Sequence, residues 1–197
     1  MSIHDAPHLE RTTRKRADKV TTGTSAIAGL RTSDQRYTIA VIDGPNVSNL
    51  ARRNKRMYGP NASAEGLKEF VLDWGARLGV VVERFLSNHE GDILEYIHES
   101  SDRVDGYIVN PAGLTTTSHS VPFALYDTGK PVVEVHFANI KASATTARGP
   151  VIGPGESTFT PLVSGQFMGM REYSYAGALL SLVLALDDTT FFGAKPE

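Results

Sequence analysis

The chain has 197 residues, 41% hydrophobic and 21% charged, with 20 basic against 22 acidic side chains and a formal net charge of −2. That balance suits one ordinary globular domain and lacks the excess of positive charge expected of a nucleic-acid binder. With no cysteine, disulfides, thiolate metal sites and cysteine nucleophiles are excluded.

In chain order, residues 1–36 stand apart. Arg11, Arg14, Lys15, Arg16 and Lys19 cluster among Ser and Thr, and Ala26-Ile27-Ala28 is too short to build a core. This reads as a basic extension, followed by a catalytic domain over 37–190 and a tail over 191–197. No apolar run approaches the roughly 20 residues of a membrane span, and the amino terminus lacks a signal peptide's apolar centre. The expectation is a cytoplasmic protein that engages neither membrane nor nucleic acid.

Thr38–Ile42, TIAVI, is apolar enough for a buried strand. It runs through Asp43 into Gly44-Pro45-Asn46, a turn that delivers Asn46 to the strand's carboxyl end, where ligands bind in open α/β sheets. Arg52, Arg53, Lys55 and Arg56 precede Tyr58 and a Gly59-Pro60 breaker. A phenol among cations on a loop favours its phenolate and becomes a candidate general base. A solvated basic loop with a packed tyrosine is the plain alternative.

Leu67, Phe70, Val71, Trp74 and Leu78 then recur at helical spacing, with Ser63 as N-cap and Gly79 as stop. Val80–Leu86 reads as a second strand, Ser87-Asn88-His89-Glu90 as a polar turn, and Ile93, Leu94 and Ile97 as the inner face of a second helix. Gly106–Val109 is a third strand ending in Asn110-Pro111-Ala112-Gly113, and Thr115–Ser118 supplies caps for the next helix. Pro131–His136 is a fourth strand, 137–160 a Gly, Pro, Ser and Thr-rich loop, Leu162–Ser164 a fifth strand, and Tyr175–Leu186 a closing helix. Short β-branched strands alternating with amphipathic helices predict a parallel sheet covered on both faces.

A parallel sheet brings Asn46, Asn88, Asn110 and His136 to one edge, beside the Arg53/Tyr58 loop. Amides and an imidazole at successive strand ends suit a small, oxygen-rich ligand. Glu134 and His136, two apart on a strand, face the same way, so the carboxylate can orient the ring. His89, Glu90 and His98 match no standard metal-ligand spacing. Gly153-Pro154-Gly155 lacks the strand and Lys-Ser/Thr of a phosphate loop, and no G-x-S-x-G motif supports serine hydrolysis.

The same residues resemble the type II 3-dehydroquinate dehydratase family. DGPNVSNLARRNKRMYG, SNHEG, NPAGLTTTS and VEVHFANI match its motifs in order and spacing from Thr38 to Ile140. The resemblance implies a flavodoxin-like, doubly wound five-stranded parallel sheet, homo-oligomers built from trimers and often dodecameric, and no cofactor or metal. It also implies that Tyr58 removes a proton next to a ring ketone, that Arg53 lowers its pKa, and that Asn46 binds the enolate through water. His136 then protonates the departing hydroxyl with Glu134 behind it. Substrate contacts carry over to Asn110, Thr116, Phe137, Ala138, His119 and Arg148.

Several recognition residues depart from the pattern. Thr116 stands for a histidine, with His119 a displaced substitute, and Phe123 stands for an acidic residue lent by a neighbouring subunit. Two arginines fall on Ser143 and Ala147, with Arg148 one place off. Ala138 replaces a serine but keeps its backbone N–H for a carboxylate, Asp43 replaces the first asparagine of the loop motif, and the loop after Ile140 is longer. Each lost buried partner costs on the order of 1–3 kcal/mol. The expected function is therefore a dehydratase-like lyase on a small cyclic carbonyl substrate less hydroxylated than 3-dehydroquinate. The alternatives are authentic 3-dehydroquinate dehydratase, a hydrolase of a cyclic carbonyl compound, and a non-catalytic ligand-binding protein.

Overall fold

Strand β1 (Thr38–Asp43) divides its side chains between two cores. Ile39 and Val41 point to one face of the sheet and Ala40 and Ile42 to the other, all fully buried, as the two-residue period of a strand requires. The computed structural model describes residues 28–60, 62–141 and 156–194. Around β1 lie β2 (Val81–Leu86), β3 (Gly106–Asn110), β4 (Val132–His136) and β5 (Gly165–Met168). All pairings are parallel in the order β2-β1-β3-β4-β5, so the chain reverses direction across the sheet between β1 and β3. This is the flavodoxin-like order, whose ligand crevice lies at that switch point.

One turn of helix, α1 (Lys55–Tyr58), precedes α2 (Ala64–Leu78); α3 (Glu90–Ser100), α4 (Ser120–Asp127) and α5 (Tyr173–Asp187) follow. Leu67, Val71 and Leu78 of α2 join Leu179, Leu182 and Val183 of α5 on one sheet face. Ile93 and Ile97 of α3 and Val121 and Leu125 of α4 cover the other. Ser63 caps α2 by accepting the Gly66 N–H at 3.0 Å, and Gly79 ends it at φ 72°, both as expected. Of the candidate caps before α4, Ser118 serves: its hydroxyl accepts the Val121 N–H at 3.1 Å.

The fifth strand is displaced from its expected place at Leu162–Ser164. Thr160–Leu162 forms a 3₁₀ turn, and β5 begins at Gly165. Pro161 explains the shift, because its fixed φ suits a helical turn and it has no N–H for a strand ladder.

Arg31, the one strongly anchored side chain in the described part of the extension, grips the end of α5. Its guanidinium meets Asp187 through two nitrogens at 2.7 and 2.9 Å and also donates to the Leu78 carbonyl. The pair is shielded from water, with side-chain exposures of 8% and 0%. No helix among the described residues is long and apolar enough to cross a membrane.

Candidate active site

The carboxyl edge at the switch point opens into a cavity of about 660 Å³. Asn46, Arg53, Tyr58, Asn110, Thr116, His136, Phe137 and Ala138 all line it, so eight of the expected site residues meet there. Glu134 stands behind His136. Arg148, Ser143, Ala147 and Gly153–Gly155 lie outside the described residues.

His136 and Glu134 end β4 on one side of the strand, with Nε2 of the ring 2.7 Å from the carboxylate. Both are buried, at 4% and 0% exposure. Gln166 on β5 donates its amide N–H to the other carboxylate oxygen at 2.5 Å and reaches Thr160 Oγ1 at 2.8 Å. Burial pushes the Glu134 carboxyl up, but hydrogen bonds from His136, Ser157 and Gln166 outweigh it and hold the group below the usual glutamate range. An ionised carboxylate only accepts, so Nε2 of His136 carries a proton and Nδ1 remains for exchange with a ligand.

Tyr58 is held differently. It closes α1, is half-buried, and touches Phe137 with ring centroids 6.0 Å apart. The Arg53 guanidinium lies over its ring face, 4.0 Å from the centroid. Burial pushes the phenol above its usual value, and Arg53 draws back only part of that rise. The cation thus acts with the expected sign, while the net direction is upward because desolvation of the phenolate is the larger effect.

Asn46 occupies the turn after β1 at φ 76°, a left-handed conformation that asparagine tolerates better than most residues. Its N–H donates to Asn88 Oδ1 at 2.8 Å, and the Asn88 amide also exchanges hydrogen bonds with Ser48. Asn88 therefore supports this turn and does not line the cavity, contrary to the expected convergence of four strand ends. The turn also needs Gly44, whose N–H bonds the Asn110 carbonyl at 2.8 Å and where a side chain would collide with the Pro111 carbonyl.

One further expectation changes with the geometry. His119 is exposed at the start of α4 and does not line the cavity, so it does not replace the histidine whose position Thr116 holds. Phe123 is 55% exposed on α4 and does not line this chain's own cavity, which leaves untouched the expectation that it stands where a residue is lent to a neighbouring subunit. Helix periodicity sends both outward. Glu156, Gln166, Ser157 and Tyr175 had no recognisable signal: Glu156 lines the cavity from beyond the long loop, and the others act from behind it. Among the described residues no cluster of three or more His, Asp or Glu side chains is disposed to hold a metal ion.

Strand order and the switch-point cavity define the class first, a flavodoxin-like α/β protein with its ligand site at the carboxyl edge of the sheet. Comparison with known proteins then supplies the family. The family described as "Dehydroquinase class II" matches residues 37–183. The 3-dehydroquinate dehydratase of Thermotoga maritima is 36% identical over 152 residues, spanning 77% of this chain and 99% of that protein. Among solved structures, the type II dehydroquinase of Butyrivibrio crossotus superposes with a TM-score of 0.66 at 30% identity, covering 75% of this chain and 97% of that one. The type II dehydroquinase of Propionibacterium acnes gives 0.67 at 27% identity, covering 77% and 99%. The chain belongs to the class II dehydroquinase family and is an enzyme of the carbon–oxygen lyase class.

Proposed function

We propose that the protein is a 3-dehydroquinate dehydratase acting through Tyr58 and His136. The observation that carries this reading is the single cavity that gathers Tyr58, Arg53, Asn46, Asn110 and the Glu134-backed His136 in a chain of this family. Relatives matched over nearly their whole length bear that activity in their names, which favours the unaltered substrate over the less hydroxylated one expected from the departures. Two observations weigh on the other side: His119 lies off the cavity and leaves the histidine replaced by Thr116 without a substitute, and the exposed Phe123 is placed where a neighbouring subunit's site could receive it.

In this mechanism the Tyr58 phenolate takes a proton from the carbon next to the ring ketone, giving an enolate. Arg53 stabilises the phenolate once loop closure brings the guanidinium toward the phenolic oxygen. Asn46 holds the enolate oxygen through water. As the enolate collapses, the carbon–oxygen bond to the leaving hydroxyl breaks and His136 delivers a proton to it, releasing water and a conjugated enone. Passage of a proton from Tyr58 to His136 resets the site. We include in the proposal a homo-oligomeric state built from trimers, supported by Phe123 and Tyr126, which stand 55% and 61% exposed on α4.

The test is incubation with 3-dehydroquinate, following the ultraviolet absorbance of the enone, with Tyr58→Phe as control. Turnover is expected from the natural chain, falling by roughly 10²- to 10⁴-fold in the variant as a general base is lost. Undiminished turnover in the variant removes this mechanism. No turnover from the folded natural chain moves the search to less hydroxylated cyclic ketones, the reading that Thr116 on the cavity wall favours.

A further inference from the structure

Behind the cavity lies a chain of buried polar groups that the mechanism above does not use. Arg84 on β2 places Nε and Nη2 at 2.8 and 2.7 Å from Asp43 Oδ2 at the end of β1. The other oxygen of Asp43 is 2.5 Å from the Tyr175 hydroxyl on α5. That hydroxyl is 2.7 Å from Asn110 Nδ2, and Asn110 Oδ1 accepts the Ala112 N–H at 3.2 Å. Asp43 and Tyr175 are fully buried and Asn110 is 4% exposed. Asp43 and Asn110 are paired directly across β1 and β3, so the chain joins three strands and a helix at the floor of the site.

Chemistry dictates the direction of every bond in this chain. A guanidinium stays charged at any ordinary pH, and a neutral Asp43 would strand it without a counterion in the interior. Burial leaves the Asp43 carboxyl above its ordinary value even against Arg84; what keeps the carboxylate as the working form is the buried guanidinium beside it, which requires an anionic partner. An ionised carboxylate only accepts, so the single proton of Tyr175 is committed to Asp43. The phenolic oxygen is then an acceptor toward Asn110, which must turn its NH₂ and not its carbonyl to Tyr175. The carbonyl is left to the backbone N–H of Ala112, with one lone pair to spare for a ligand, and Asp43, which also draws on the Asn110 amide, favours the same orientation.

We propose that Tyr175 is a positioning residue: oriented by the Arg84–Asp43 pair, its hydroxyl fixes the Asn110 carboxamide in one orientation and so decides which polar groups the cavity offers. The departure at Asp43 takes on a meaning here. Asparagine at that position has both a donor and an acceptor and leaves the phenol free to bond in either sense, whereas aspartate permits only one. Tyr175 acts through Asn110 and touches no substrate atom.

The assay rests on the dehydratase reading, and the design separates the two. Tyr175→Phe keeps the ring that packs edge-on against Phe137, 5.7 Å between centroids, and removes only the hydroxyl. With the natural chain turning over 3-dehydroquinate, this variant is expected to lose roughly 10- to 100-fold in kcat/KM, the scale of one buried hydrogen bond in an oriented site. Asn110→Ala alone and the double variant complete a cycle. If Tyr175 acts through Asn110, adding Tyr175→Phe to Asn110→Ala costs almost nothing further. Full activity in Tyr175→Phe overturns the proposal, and so does additive loss in the double variant. Failure of the natural chain to turn over removes the activity reading alone. The positioning claim is then read in ¹⁵N-labelled natural protein, where the Asn110 side-chain N–H signals must be protected from exchange and lose that protection in Tyr175→Phe. Signals exchanging at the rate of exposed asparagines in both proteins overturn it, including where the variant is poorly folded, since the natural chain alone then decides.

Discussion

His136 and Tyr58 face one cavity yet are built in opposite ways. The histidine sits on a central strand, buried, with its carboxylate held from three sides by His136, Gln166 and Ser157. The tyrosine closes a single helical turn between Asn54 and Gly59, half-exposed, with one guanidinium over its ring and one neighbouring phenylalanine. The proposed acid is therefore set in place by the fold itself. The proposed base stands on a single turn with no buried residue, and its phenol is pushed the wrong way for ionisation, so the mechanism requires the cation to come closer. In the proposed mechanism the two groups would divide the work of preorganisation and gating.

Arg53→Ala tests the gated half most severely. Activity is expected to fall by about 100- to 1000-fold, and the pH at which the phenolate limb of kcat rises must move upward, because the cation that lowers the Tyr58 pKa is gone. A limb that stays in place in a kcat-against-pH profile breaks the link between the two residues. Glu134→Gln tests the rigid half. A loss of roughly 10- to 100-fold in kcat is expected, the scale for a partner that orients a working histidine. The same variant carries a stability signature. Glu134 has a depressed pKa in the folded state, so its contribution is present at neutral pH and is lost as pH falls below the ordinary glutamate range. Denaturation midpoints measured from neutral to acidic pH should thus drop more steeply in the natural chain than in Glu134→Gln. Equal slopes mean the cage around the carboxylate does not hold its charge. The smallest effect belongs to neither half: Ser63→Ala removes the cap of α2 and should lower stability by about 1 kcal/mol while turnover is unchanged, as read by urea titration alongside the enone assay.

The two halves also differed in how far they were legible. Glu134 and His136 were readable because a strand's period puts residues two apart on one side, and nothing else is required to pair them. Asn46 and Asn110 were readable because parallel strands must end at one edge. Asn88 was misplaced by the same rule, since a strand end fixes a position but not the direction of the side chain, and its amide turns back to hold the Asn46 turn. The fifth strand slid along the chain because a short apolar run around Pro161 does not say which side of the proline enters the sheet. Gln166 and Tyr175 left no pattern, because their roles come from contacts with residues 32 and 132 positions away. A signal existed for Arg84 alone: Glu83 and Arg84 interrupt an otherwise apolar strand, and Asp43 departs from asparagine in the motif it opens. A buried acid beside a cation-bearing strand is a pairing that composition can suggest and only the register between β1 and β2 can establish.

The Arg31–Asp187 clamp gives the molecule a mechanical property as well. Because the guanidinium holds the carboxylate through two nitrogens and also grips the Leu78 carbonyl, a pull applied at Arg31 meets the ends of α5 and α2 first. The load reaches β1, the strand both cores depend on, only after that clamp gives way. Between the segment ahead of Arg31 and the sheet that carries the site stands this anchored side chain.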